Sequence, residues 1–201
     1  MSKDVSPSFR LGVPPIVDVF EFARRGQVIQ GVFGVNRLER LLEDVPEQPF
    51  AELMVLDHAP QTPGVVRYTL QGRRSKVGKL QLVAQIQALL VLECQRCLGD
   101  LNFAIDRQTV FELVVRESDL DQGDPEDTEL DAPEKIMGSA NFNLLDLVED
   151  EMILEVPYVP RHETCPESVG GAKSDAIVAQ APEAERPSPF AVLGQLKIKS
   201  Q

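Results

Sequence analysis

Two long runs of alternating apolar and polar residues, joined by a short turn, constrain the fold more than any other feature. In the first run the apolar positions are Leu80, Leu82, Ala84, Ile86, Ala88, Leu90 and Leu92. In the second run they are Leu101, Phe103, Ile105, Phe111, Leu113 and Val115. A period of two is typical of a strand with one face in the core. Because Gly99 and Asp100 favour a turn, the sequence predicts a β-hairpin whose tip is exposed and carries residues 94–97.

Weaker patterns on both sides of the hairpin predict further elements. Helices are predicted at residues 16–25, 36–42 and 144–154, and strands at 50–56 and 65–70. Gly26 is placed to end the first helix, and Asn143 to cap the last one. The predicted fold class is α+β, with an antiparallel β-sheet of several strands and a few flanking helices.

Composition divides the chain into a folded part and a tail. Residues 117–134 contain nine carboxylates and no apolar period, which predicts a mobile acidic loop within a domain spanning 10–166. Residues 167–188 are rich in Ala, Gly, Ser, Pro and acidic residues, as flexible linkers are. Residues 189–201 form an apolar and basic C-terminal peptide in which Phe190, Leu193 and Leu196 can share one helical face.

Charge and cysteine content exclude several classes of protein. The net charge of −12 argues against a nonspecific nucleic-acid binder, because affinity for phosphate backbones comes mainly from Lys and Arg. Three cysteines cannot all pair within one chain, so the thiols are free, redox-active or metal-bound. No signal peptide or membrane-spanning run is recognisable, so we expect a cytoplasmic protein without a membrane partner.

One turn concentrates positive charge in this acidic chain. Residues 71–79 contain Arg73, Arg74, Lys76 and Lys79 and no acidic residue. Such a turn is commonly just a solvated surface, and it is also suited to contact phosphates. For Arg96, the alternatives are a phosphate or carboxylate of a partner, which a guanidinium binds with two donors, and a salt bridge to Glu93 or Asp100.

The cysteines allow three interpretations. Cys94 and Cys97 form a Cys-x-x-Cys motif, and His162 and Cys165 form a second ligand pair, so the four residues could complete a structural Cys3His zinc site. Alternatively, the thiols are small, partly buried apolar groups in a tight turn. A thiol-redox centre is the third possibility, but such motifs lie at helix N-termini, whereas this one lies between two strands.

The remaining polar residues do not form a recognisable catalytic motif. Glu149, Asp150 and Glu151 lie in the predicted helix 144–154, and we expect them on its solvent-exposed face, not in catalysis. No Gly-rich phosphate-binding loop is recognisable, and no nucleophile is followed by a base at a familiar spacing.

Several segments, in this order, resemble the YceD family of large ribosomal RNA subunit accumulation proteins. They are Glu93-Cys94-Gln95-Arg96-Cys97-Leu98, Asp146-Leu147-Val148-Glu149-Asp150-Glu151-Met152-Ile153-Leu154, Pro157-Tyr158-Val159-Pro160-Arg161-His162 with Cys165, and Pro189-Phe190-Ala191-Val192-Leu193. The first half of the chain is less similar. The resemblance implies a bacterial-type protein, with relatives in chloroplasts, that is needed for normal synthesis, processing or stability of 23S rRNA. It implies no known reaction.

The predicted function is therefore that of a non-enzymatic factor for assembly of the large ribosomal subunit. The predicted partners are 23S rRNA or its precursor, a basic large-subunit ribosomal protein, or both, and no small-molecule substrate is expected. The predicted partner-binding residues are Arg73, Arg74, Lys76, Lys79 and Arg96. The alternative function is a zinc-dependent or thiol-redox enzyme centred on the Cys-x-x-Cys motif.

Overall fold

The structure is a computed structural model that describes residues 10–49, 62–120 and 133–166. In chain order, its strands are β1 (Arg10–Leu11), β2 (Ile16–Val17), β3 (Val28–Gly34), β4 (Val65–Arg74), β5 (Leu80–Glu93), β6 (Asp100–Val114), β7 (Glu134–Met137) and β8 (Phe142–Asn143). Its α-helices are α1 (Val19–Arg24), α2 (Glu39–Glu43) and α3 (Leu144–Glu155). The predicted α+β class is confirmed.

The main sheet has six strands in the order β1-β3-β4-β5-β6-β7, and β2 and β8 form a separate antiparallel pair. The predicted hairpin is confirmed as β5 and β6, which pair from Gln81 opposite Glu112 to Glu93 opposite Asp100. The sequence did not predict β3, nor the parallel pairing of β1 with β3 and of β7 with β6. These outer pairs depend on contacts between distant segments, which a local pattern does not reveal.

The core lies on the face of the sheet that the alternating pattern of β5 predicted to be buried. Leu82, Ala84, Ile86, Ala88, Leu90 and Leu92 are all buried, and so are Phe22, Leu41, Leu144, Val148 and Met152 from the helices. The hairpin is thus fixed to the body along one whole face. Burial of such apolar side chains is the main source of stability in a folded domain.

Local caps explain where two of the helices begin. The Asp18 side chain accepts the N–H groups of Phe20 and Glu21, and Asn143 accepts the N–H group of Leu145. Helix α1 ends before Gly26, whose φ of 59° is strained for other residues. The three predicted helices are present, with ends shifted by up to three residues. Ile16 and Val17, which were predicted to begin the first helix, form β2 instead.

The prediction that Glu149, Asp150 and Glu151 all face solvent is wrong for two of them. Glu149 and Glu151 are buried, and only Asp150 is exposed. Both ends of the carboxylate run point into the protein because α3 packs against α2 on one side and β6 on the other. Burial raises the pKa of Glu151, although Thr109 donates a hydrogen bond to its carboxylate.

Several predictions concern residues outside the described ranges. These are the strand at 50–56, most of the acidic loop, the linker 167–188 and the C-terminal peptide 189–201. The domain boundaries therefore stay predictions. Within the described ranges, no helix is both long and apolar enough to cross a membrane.

Candidate metal centre and basic surface

The tip of the β5–β6 hairpin is a tight turn that directs two thiols toward each other. The N–H group of Cys94 donates to the Gly99 carbonyl, and that of Leu98 donates to the Cys94 carbonyl. Leu98 has a φ of 57°, in the left-handed region that closes such turns. Cys94 is fully buried and Cys97 is half-buried, so the tip is less exposed than the sequence predicted.

A second segment covers this tip. After α3 ends at Glu155, Val156 has extended backbone angles, as a residue preceding proline favours, and the chain then bends at Tyr158 and Val159. The carbonyl of Pro160 then accepts the N–H group of Gln95 at 2.9 Å. This contact between residues far apart in the sequence brings His162 and Cys165 to the hairpin tip.

The four predicted metal ligands meet at this tip. The donor atoms of Cys94, Cys97, His162 and Cys165 all lie within 4.8 Å of one another. The Cys94 and Cys165 Sγ atoms are 3.7 Å apart, and Cys97 Sγ is 3.4 Å from His162 Nδ1. A zinc tetrahedron with Zn–S bonds of about 2.3 Å has S···S edges of about 3.8 Å. The residues therefore fit a tetrahedral metal ion.

The hydrogen bonds of His162 orient the ring for such a role. His162 Nε2 is 3.0 Å from the carbonyl oxygen of Asp100. A carbonyl can only accept, so Nε2 carries a proton, and in the neutral ring Nδ1 directs its lone pair toward the thiols. A backbone carbonyl that fixes the second ring nitrogen is a common feature of metal-binding histidines.

Backbone N–H groups stabilise a thiolate at Cys94. Burial by itself would raise the pKa of this thiol, but the N–H groups of Cys97, His162 and Arg96 outweigh it. The pKa of Cys94 is lowered to about 5. The His162 N–H lies 3.4 Å from the sulfur. The turn is therefore built to hold a negatively charged sulfur, the form that binds metal.

The pKa values of the other groups in the cluster show that the thiolates destabilise one another. The Gly99 N–H favours a thiolate at Cys97, but burial and the neighbouring sulfurs raise the pKa of Cys97 overall. Contacts with the sulfurs of Cys94 and Cys165 raise the pKa of His162. Adjacent thiolates repel one another, and a divalent cation among them would remove this penalty.

The predicted partner-binding residues lie in two separate places. Arg96 is at the hairpin tip, whereas the basic turn lies at the other end of the sheet, where Arg73 and Arg74 end β4 and Lys76 and Lys79 lie in the connection to β5. The 14 residues of β5 separate the two sites by roughly 40 Å, at about 3.3 Å per residue. One phosphate group cannot contact both sites.

Within the basic turn, the four cations have different surroundings. Arg73 donates to the Gln81 side chain, and Lys79 forms an ion pair with the buried Glu112 at 3.0 Å. Arg73, Arg74 and Lys76 are all exposed, and Arg74 Nη1 donates only a long hydrogen bond, of 3.5 Å, to the Gly78 carbonyl oxygen. Lys79 therefore has a structural role, while Arg74 and Lys76 are better placed to meet a partner.

Two further cations lie beside this turn. The Gln27 carbonyl accepts the N–H group of Gly72 at 2.9 Å, which places the C-terminal end of α1 next to β4 just before Arg73. Arg24 and Arg25 lie at that end of α1, both exposed and both paired with Glu21. The sequence pattern does not reveal them, because only the contact between α1 and β4 joins the Arg-Arg pair to the turn.

Comparisons with known proteins assign this chain to a family. A family model described as Large ribosomal RNA subunit accumulation protein YceD matches residues 82–197, which is more than half of the chain. The chain belongs to the YceD family. It is also similar to the Large ribosomal RNA subunit accumulation protein YceD of Haemophilus influenzae, with 29% identity over 192 residues, or 94% of this chain and 99% of that protein. No solved structure matches the chain.

Proposed function

We propose that this YceD-family protein is a non-enzymatic factor that supports the synthesis, processing or stability of 23S rRNA during assembly of the large ribosomal subunit. Family membership supports the link to ribosomal RNA. The observation that carries the non-enzymatic part is the set of four protein donors at the hairpin tip. Four protein ligands fill a tetrahedral ion and leave no position for a substrate. The proposed place of action is the cytoplasm.

Zinc is the metal that we propose for this centre. Three thiolates and one imidazole form a soft donor set, which tetrahedral zinc accepts in structural sites. The ion would join the hairpin tip to the segment that follows α3. Its role would be to hold these two parts in one arrangement, with no chemical step at the ion.

The proposed RNA contact is the basic turn together with the end of α1. Arg74, Lys76, Arg24 and Arg25 are exposed and lie on adjoining elements, in a chain whose net charge is otherwise strongly negative. A local cluster of this kind can neutralise several phosphates even when the whole protein is acidic. A basic large-subunit protein is the competing partner, bound through acidic surfaces.

Binding of the purified protein to 23S rRNA fragments at several salt concentrations tests the RNA contact. The variant Arg74→Ala/Lys76→Ala should bind more weakly, and its log–log salt slope should fall by about two, roughly one per phosphate contact. The matched control is Arg37→Ala/Arg161→Ala, which removes two exposed arginines at the opposite end of the sheet. Equal affinity and slope in the turn variant and the wild type would refute the proposed surface.

Cobalt substitution distinguishes the structural centre from the alternative enzyme. The visible spectrum of Co²⁺ responds to its ligands, so a closed site should show the same spectrum with and without added imidazole. A spectrum that changes on addition of imidazole would reveal an open coordination position. That result would favour the zinc-dependent enzyme over the structural role.

A further inference from the structure

We infer that Arg96 is a positioning residue of the metal centre, whose guanidinium holds the second ligand pair against the hairpin tip. The inference rests on the proposed metal site and assigns it a residue that is not itself a ligand. It also gives Arg96 a role different from the partner contact that the sequence predicted.

Two contacts of the guanidinium carry the inference. Arg96 Nε donates to Cys165 Sγ at 3.0 Å, and Nη2 donates to the His162 carbonyl oxygen at 3.3 Å. One planar group therefore binds both residues of the second pair. Because Arg96 lies between Cys94 and Cys97 in the chain, it links the two halves of the ligand set directly.

The charge of the site also favours a cationic group beside Cys165. A Zn²⁺ ion with three thiolates and one neutral imidazole has a net charge of about −1, since thiolates bind in deprotonated form. The guanidinium lies beside Cys165 and would offset this charge. A charge-assisted hydrogen bond is also stronger than a neutral one, so it restrains the sulfur as well.

The two contacts suit an arginine better than a lysine. A lysine ammonium would keep the positive charge, but it lacks the planar fork that reaches two acceptors at once. The nearby Arg161 is a matched control: its side chain is exposed, and among the described residues it forms no hydrogen bond or ion pair. Loss of charge near the site can therefore be separated from loss of these two contacts.

Competition for Zn²⁺ against a chromophoric chelator tests the role of Arg96. Arg96→Ala should bind Zn²⁺ about 10–100-fold more weakly than the wild type, the usual effect of losing an outer hydrogen bond to a metal ligand. Arg96→Lys should recover only part of this loss, and Arg161→Ala should bind like the wild type. The Co²⁺ spectrum of Arg96→Ala should also differ, because Cys165 is no longer restrained.

The possible outcomes separate this inference from the zinc proposal. Wild-type protein that binds no Zn²⁺ would refute the zinc site itself. Wild-type protein that binds Zn²⁺ while Arg96→Ala binds it equally tightly, with the same Co²⁺ spectrum, would overturn only the role of Arg96. Equal midpoint temperatures of thermal unfolding for metal-free wild type and metal-free Arg96→Ala would show that the variant is folded. Arg96→Lys supplies a second measurement if Arg96→Ala does not fold.

Discussion

A single carboxylate shows how a residue can have a role that its position in the sequence does not reveal. Helix α2 begins after Leu38, which has no side-chain acceptor for the free N–H groups of the first turn. Glu149 of α3 takes this place and accepts the N–H groups of Arg40 and Leu41 at 2.7 and 3.1 Å. Its other oxygen accepts Arg40 Nε at 2.9 Å. Glu149 therefore caps the N-terminus of α2 from another helix, 109 positions along the chain from Arg40.

Replacing Glu149 should cost stability. Glu149→Ala leaves two helix N–H groups without an acceptor, and we expect it to lower the free energy of unfolding by about 2 kcal/mol. Glu149→Gln keeps an acceptor oxygen and should lose less. Urea unfolding followed by circular dichroism measures both values.

Asp150→Asn is the control for this prediction. It removes the neighbouring carboxylate, which is exposed and also contacts Arg40. A surface ion pair of this kind contributes little, so the loss should stay below about 1 kcal/mol. Equal losses in Asp150→Asn and Glu149→Ala would contradict the capping role.

At the scale of elements, a close approach between α1 and β4 positions the end of α1 beside the basic turn. Gly72 allows this approach because a Cβ atom there would lie 2.5 Å from the Phe22 carbonyl oxygen and 2.6 Å from Ala23 Cα. Both contacts are with backbone atoms, which cannot rotate away. The packing of α1 therefore depends on the absence of a side chain at one strand position.

Gly72→Ala should separate α1 from the sheet. We expect a loss of about 1–3 kcal/mol in the free energy of unfolding, the usual cost of overfilling a packed contact. The control is Gln71→Ala, an exposed position on the same strand, which should change stability by less than about 0.5 kcal/mol. Urea unfolding measures the stability of both variants. A Gly72→Ala protein as stable as the wild type would contradict the need for glycine where α1 approaches β4.

At the scale of the whole molecule, the sheet carries two different sites at its two ends. The candidate metal centre closes the end where β5 meets β6, and the basic turn joins β4 to β5 at the other end. The core between them is made of buried side chains that do not include the residues of the metal cluster. We therefore expect metal removal to affect one end only.

Limited trypsin digestion with and without a chelator measures this difference. Chelation should speed cleavage after Arg96 and Arg161 by about tenfold or more, because opening of the unrestrained tip exposes these bonds. Cleavage after Lys76 in the basic turn is the internal control and should keep its rate. Far-UV circular dichroism should change little. Equal acceleration at all three sites would mean that the metal stabilises the whole fold.

The sequence alone determined the features that depend on local patterns. Alternation fixed the β5–β6 hairpin and its buried face, and the Asn143 side-chain cap fixed the beginning of α3, because period and capping act within a few residues. It also named all four residues of the metal cluster, but it could not show that they meet.

Tertiary structure alone decided what depends on contacts between distant residues. The segment after α3 folds back onto the hairpin tip, where the Pro160 carbonyl accepts the N–H group of Gln95, and this contact brings His162 and Cys165 to the other thiols. The same kind of contact turned Arg96 toward Cys165, buried Glu149 against α2, and placed Arg24 and Arg25 beside the basic turn. Side-chain partners of this kind follow from packing in three dimensions, on which local spacing gives no information.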